Sequence, residues 1–318
     1  NKAVMTILQK LKTQFLEYLE IEKNRSRLTI RNYDLYLRRF INFAKARQVN
    51  AAEKIDLDLV RNFRLRLNRQ RDQRGRELKA ATQNYHMIAL RSFLKYLAKR
   101  DIKTLTAEKI ELGKIPQRQV EFLESDDLEK LFRATGQEKN ELLRARDRAI
   151  LELLFSTGLR VAELTSLKRT QVNLKKEEFP IRGKGGKLRV VFLSEAARGA
   201  LEKYLKKRPD HSPALFVRHN REMDMTDARP LTPRSVQRLI KKYALLAGVS
   251  TKITPHTLRH TMATDLLTAG ADLRSVQEIL GHSSITTTQI YTHVTNRRLK
   301  EIYRKYHGKT LKKTFSTQ

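Results

Sequence analysis

Apolar side chains recur at helical spacing along almost the whole chain, and one aperiodic stretch, residues 111–122, cuts the pattern in two. That stretch holds Gly113 and Pro116, which disfavour a continuous helix, so a linker is expected at residues 113–122. Upstream, Leu8, Leu11, Phe15, Leu16 and Leu19 predict one helix, and Tyr33, Tyr36, Leu37, Phe40, Ile41 and Phe43 a second, with a break near Arg25 to Thr29. Leu57, Val60, Phe63, Leu65 and Leu67 predict a third, and Tyr85, Ile88, Leu90, Phe93, Leu94 and Leu97 a fourth. Downstream, Ser125-Asp-Asp127 is expected to cap a new helix, and helical spacing then prevails with one exception. Phe179 to Arg182 and Leu188 to Leu193 read as short strands around Gly183-Lys-Gly-Gly186, a hairpin with a glycine turn. The expected fold is mainly α with a small β-hairpin, in two domains. Residues 1–112 form a helical domain, 123–308 a second domain and 309–318 a basic tail. At 318 residues, two such bodies can each bury a core without disulfides or structural metal.

Charge narrows the function. There are 66 Lys and Arg against 34 Asp and Glu, a formal net charge of +32. Residues 1–113 hold 26 basic and 12 acidic side chains and residues 114–318 hold 40 and 22, so both halves are basic. A polyanion held between two positive bodies neutralises both, which points to duplex DNA or structured RNA. Membrane binding is disfavoured, because the basic residues are scattered over many segments and no long apolar span is present. With no cysteine, thiol catalysis and thiolate metal sites are excluded, and a reducing cytoplasm is compatible. Residues Asn1 to Lys12 interrupt every apolar run with polar or charged groups, so no signal peptide is expected. Between the third and fourth helices, Arg64, Arg66, Arg69, Arg71, Arg74 and Arg76 surround Gly75. Such a run suits either a solvated helix end or phosphate contact, and the global charge favours phosphate.

Four separated segments place reactive side chains at structural breaks. In Thr157-Gly-Leu-Arg-Val-Ala-Glu-Leu164, Thr157-Gly158 ends one helix and Arg160 begins the next. Arg160 and Glu163 then share a face, an arrangement that also describes an ordinary surface ion pair. Lys184 and Lys187 lie in the hairpin turn, which is not a nucleotide-binding loop because Lys187 is followed by Leu188. In Ile253-Thr-Pro-His-Thr-Leu-Arg-His260, Thr254 is a good N-cap and Pro255 a good first residue. His256 and Arg259 therefore sit in a first turn suited to an anion. A metal pair from His256 and His260 lacks both an intervening Glu and a third ligand. In Ile279-Leu-Gly-His-Ser-Ser-Ile-Thr-Thr-Thr-Gln-Ile-Tyr291, Gly281 ends a helix and His282 lies on the connection. Ser284 can cap the short helix carrying Tyr291. Taken singly, that tyrosine reads as core packing as readily as a nucleophile.

Together these segments resemble, in order and type, the motifs of the tyrosine recombinase family, most of all its Xer and phage-integrase members. The set that resembles the family's catalytic residues is Arg160, Lys184, His256, Arg259, His282 and Tyr291, with Glu163 in support. Residues 145–305 carry the specific match, whereas the N-terminal helices resemble the family's core-binding domain in type and position only. The resemblance implies a site-specific recombinase in which Tyr291 forms a 3′-phosphotyrosyl link to duplex DNA, with no metal, cofactor or ATP. It implies roles for Arg160 and Arg259 as a phosphate clamp, Lys184 as general acid, His256 in proton transfer and His282 as a phosphate hydrogen-bond donor. Glu163 would orient a neighbouring side chain, and Lys187 would contact DNA with the arginines of the 64–76 run. It also implies a two-domain clamp, a homotetramer on two DNA sites, and a segment with Leu299, Ile302 and Tyr303 packed on a neighbouring protomer. A second recombinase or an accessory protein is a further partner it admits, and the expected location is the cytoplasm, at the nucleoid. A type IB topoisomerase, a noncatalytic basic DNA- or RNA-binding protein and a metal-dependent nuclease are the rival readings.

Overall fold

The structure is a computed structural model and describes residues 6–71, 75–114, 122–183, 186, 188–219, 228–250, 252–281, 302–305 and 307. The chain divides into two compact units, Asn1–Arg118 and Gln119–Gln318.

The first unit contains α1 (Ile7–Ile21), α2 (Arg27–Lys45), α3 (Leu57–Arg69) and α4 (Ala80–Ala98). Three of their starts are fixed by side-chain caps. Thr6, Ser26 and Asp56 each accept from the amide three residues on, satisfying donors that the helix leaves unpaired. The helices close over Phe15, Phe40, Phe43, Phe63, Phe93 and the leucines beside them. Phe63 meets Phe40 edge-on at 5.2 Å and Phe43 at 5.3 Å. Not every periodic position turns inward. Leu57, Leu65 and Tyr85 are exposed, because the buried stripes run through Leu59, Val60, Phe63 and Leu67 on α3 and Leu90, Phe93, Leu94 and Leu97 on α4.

The second unit runs α5 (Ser125–Ala134), α6 (Glu141–Thr157), α7 (Val161–Ser166), β1 (Glu178–Arg182), β2 (Leu188–Phe192) and α8 (Glu195–Lys207). It ends with α9 (Pro233–Leu246), α10 (Pro255–Thr268) and α11 (Leu273–Leu280). Helix α6 is its axis: every residue from Ala149 to Thr157 is buried, and the helix packs against α8 and α10. An all-round buried helix is what its apolar run Ala149-Ile-Leu and Leu153-Leu-Phe155 requires. Strands β1 and β2 pair antiparallel from Glu178 opposite Phe192 to Arg182 opposite Leu188. The expected cap on α5 is corrected in detail. Ser125 is already helical, Glu124 precedes the helix without a side-chain cap bond, and Asp126 and Asp127 serve only as acidic residues in the first turn.

The C-terminal segment, expected to pack on a neighbouring protomer, is described at residues 302–305 and 307. Residues 302–305 are helical, and the Tyr303 ring is buried in its own unit, 5.3 Å from Phe192. The Tyr303 hydroxyl donates to the Ser156 carbonyl at 2.8 Å and lies 2.8 Å from the Ser156 hydroxyl. The His307 ring stacks on Tyr303 at 4.6 Å. An aromatic residue with a polar tip is as well served by an internal pocket with a matching acceptor as by a partner. Leu299 lies outside the described residues. Tyr303→Phe leaves a buried acceptor unpaired and is expected to destabilise the second unit by about 1–2 kcal/mol in urea unfolding. An unchanged transition midpoint would mean that the hydroxyl faces water.

Candidate active site

Two glycine turns form the floor of the site. At the end of α6, Gly158 adopts φ 59°, and at the end of α11, Gly281 adopts φ 65°, each closing its helix in the left-handed region that glycine tolerates. Both also sit where a side chain has no room. A Cβ on Gly158 would lie 2.9 Å from Leu280 Cδ2 and 3.1 Å from Met262 Sδ, and one on Gly281 would lie 2.7 Å from Arg189 Cδ. The two turns are thereby drawn together with α10 and β2, and the functional side chains rise from that junction.

Arg259, on the first turns of α10, is buried at 3 % exposure. Its two terminal nitrogens donate to the carbonyls of Gly158 and Leu280, bridging the two helix ends. Arg160, the residue before α7, donates from Nη2 to the Gly281 carbonyl at 3.4 Å, so both guanidiniums lie over the same pair of turns. Glu163 holds Arg160 twice, accepting from its backbone amide at 2.8 Å and from Nη1 at 3.0 Å. On its other side Glu163 accepts two parallel bonds from Arg189 of β2, both 2.9 Å. A single carboxylate therefore receives four hydrogen bonds from two arginines.

The electrostatics follow from this arrangement. Burial alone would push the Glu163 carboxyl up, but the bonds from Arg189 and Arg160 hold it at about 2, so it is ionised at every physiological pH. Burial, then repulsion from Arg160 and Arg189, brings Arg259 down to about 10, which still leaves it cationic at neutral pH. Among the described residues, Arg160 and Arg189 bond to one carboxylate with Arg259 nearby, which leaves two positive charges over in partly desolvated surroundings. Such charges are costly unless an anion supplies the missing partner.

The other expected residues fall as follows. His256 is exposed in the first turn of α10. The anion site expected there is smaller than the sequence suggests. Pro255 has no N–H, the Thr257 amide donates to Thr254 Oγ1 and the Leu258 amide to the Thr254 carbonyl, which leaves the His256 amide to face an anion. Among the described residues no group of three or more His, Asp or Glu is arranged to hold a metal ion. Lys184, Lys187, Arg74, His282 and Tyr291 lie outside the described residues. Of the basic run in the first unit, Arg64 donates to the Glu111 carbonyl and Arg71 pairs with Glu77 at 3.4 Å. The Arg66 guanidinium lies 5.6 Å from the centre of the Phe43 ring. Arg69 and Arg76 are exposed. Sequence reasoning missed Arg189. Its signal was a lone charge inside the apolar strand Leu188-Arg-Val-Val-Phe192, where a half-buried cation needs a partner from elsewhere in the fold.

Comparison with known proteins places this geometry in a family. The model of the Phage integrase family matches residues 121–298, and that of the phage integrase N-terminal SAM-like domain matches residues 13–101. Tyrosine recombinase XerC of Thermodesulfovibrio yellowstonii is 39% identical over 314 residues, covering 95% of this chain and 98% of the relative. Tyrosine recombinase XerD of Oceanobacillus iheyensis is 37% identical, covering 92% of this chain and 96% of the relative. Among solved structures, XerH site-specific recombinase bound to difH substrate in a pre-cleavage complex superposes with a TM-score of 0.63 at 29% identity, covering 91% of this chain and 83% of that one. The recess of arginines over two glycine turns, the helical unit before it and these matches agree: this chain belongs to the phage integrase family and is a tyrosine recombinase of the Xer type.

Proposed function

We propose that this recombinase cleaves and rejoins duplex DNA at specific sites through a covalent 3′-phosphotyrosyl link at Tyr291, with no metal ion and no ATP. The observation that carries the reading is the surplus of positive charge where Arg160, Arg189 and Arg259 gather around the single carboxylate of Glu163. Attack on a phosphodiester concentrates negative charge on two oxygens, and fixed donors aimed there lower the barrier without reorganising. Arg259 commits two of its five N–H donors to carbonyls and keeps three. Arg160 likewise commits two side-chain donors. The donors that remain can clamp the scissile phosphate.

In this mechanism the Tyr291 oxygen attacks phosphorus, the 5′-oxygen leaves, and Lys184 gives it a proton. His256 assists removal of the phenolic proton, His282 donates a hydrogen bond to the phosphate, and Glu163 positions Arg160. Rejoining is the same step reversed with the 5′-hydroxyl of another strand, so the bond energy stays in the phosphotyrosyl link. Residues 1–112 and 123–308 act as two basic domains clamping the duplex, with Arg64, Arg66, Arg69, Arg71, Arg74, Arg76 and Lys187 toward the backbone, and four protomers assemble on two sites. Relatives named as recombinases, one of them bound to its DNA substrate, support this reading. The reaction would serve integration, excision or resolution of chromosome or plasmid dimers, in the cytoplasm at the nucleoid.

The test is a plasmid carrying two copies of the site footprinted on the DNA flanking the coding sequence, incubated in EDTA without nucleotide. Exchange between the two sites is the expected result. Relaxation of any supercoiled plasmid without exchange would assign a single-clamp topoisomerase, and activity lost in EDTA would assign a metal-dependent nuclease.

A further inference from the structure

Arg189 is given no step in the mechanism above, yet it makes the most completely bonded ion pair of the site. Its guanidinium meets Glu163 edge to edge, with side-chain exposures of 10% and 9%. Its stem fills the space that Gly281 leaves open, and its Nε is buried without a hydrogen-bond partner. Stability alone does not account for it. Arg160 already neutralises Glu163, so a second arginine adds an uncompensated cation to a cationic recess and helps to pull Arg259 down. What Arg189 does supply is geometry: by occupying one edge of the carboxylate it fixes which edge faces Arg160, while its stem fixes the turn whose carbonyl Arg160 also touches.

We propose that Arg189 is a positioning residue for the recombination chemistry, holding Arg160 in its phosphate-binding pose through Glu163 and the Gly281 turn. The proposal rests on the phosphotyrosyl reading. Without Arg189 the carboxylate can rotate, and Arg160 follows it away from the place where a phosphate is clamped. An error of about 1 Å at such a group lowers a rate by about 100-fold.

The test is single-turnover cleavage of a nicked duplex by the full chain, measured across pH 5 to 9, together with DNA affinity. Arg189→Met is expected to cleave about 100-fold more slowly at neutral pH with affinity unchanged. Arg189→Lys keeps a charge but not the paired bonds and falls between that variant and the wild type. Glu163 is faced by Arg160, Arg189 and, at longer range, Arg259. With Arg189 gone, burial pushes its carboxyl up, so the Arg189→Met rate falls further relative to the wild type as pH drops toward 5, an acid limb beyond any that the wild type shows. The double variant Arg189→Met with Glu163→Gln loses that limb and is no slower than the slower single variant. A merely structural role would lower the unfolding midpoint and leave the limb absent. Should Arg189→Met not fold, the Arg189→Lys rate decides alone. Wild-type rates and pH profiles in both variants, or additive losses in the double variant, would overturn this proposal only. A wild type that forms no covalent adduct would overturn the phosphotyrosyl reading and this proposal with it.

Discussion

Arg259→Lys is expected to slow strand cleavage by about 1,000-fold, at the upper end of what removal of one preorganised donor costs, while DNA binding persists. The guanidinium of Arg259 does two things at once. It bridges the carbonyls of Gly158 and Leu280, and its remaining donors are free for phosphate. An ammonium on a flexible stem cannot satisfy two carbonyls on different helix ends and a phosphate in fixed geometry. There is an electrostatic penalty as well. Burial and the nearness of Arg160 and Arg189 lower the affinity of this position for a proton, and they bring even an arginine to about 10. A lysine starts near 10.4 in water and would be driven toward neutrality by the same surroundings. The sign is fixed: the residual activity of Arg259→Lys falls as pH rises through the depressed pKa, whereas the wild type stays cationic well above neutral pH. Single-turnover cleavage across pH 6 to 9 reads both effects, and near-wild-type rates would mean that the guanidinium braces the turns without touching phosphate.

Tyr291→Phe is expected to abolish the covalent adduct and recombination, down to background, with DNA affinity intact. The substitution removes one oxygen and nothing else from the ring, so a merely packing role would survive it. A phenol titrates near about 10 and is a poor nucleophile at neutral pH unless its developing charge and its proton are both managed. On the proposed mechanism Arg160 and Arg259 would supply the charge side of that requirement, and His256, exposed at the first turn of α10, would serve the proton side. Because rejoining consumes the same link, the variant loses both halves of the reaction. A gel-shift titration beside a denaturing gel of the reaction separates binding from chemistry.

Much of the scaffold was legible because local chemistry determines it. Thr254 and Pro255 start α10 as expected, and Gly158 and Gly281 end their helices in the left-handed region. The two strands fall within one residue of the predicted segments because their apolar runs flank a glycine-rich turn. What the sequence hides is the partner of each charge. Arg64 reads as one of a basic run until the fold brings the Glu111 carbonyl to it, 47 residues away. Arg189 reads as a strand residue until β2 lies beside α7 and delivers it to Glu163, 26 residues earlier. Tyr303 shows only its helical spacing until Ser156, 147 residues earlier, offers its hydroxyl and carbonyl. Periodicity reports which face of an element is apolar, whereas pairing between distant segments depends on how those faces close.

On the proposed mechanism a tyrosine, served by Arg160 and Arg259, becomes joined to DNA. A nicked duplex bearing the footprinted site, incubated with the full chain in EDTA, digested with protease and examined by mass spectrometry, tests it directly. One modified peptide is expected, with the 3′-phosphate of the DNA on Tyr291. No peptide carrying DNA, or a link on another residue, would rule that mechanism out.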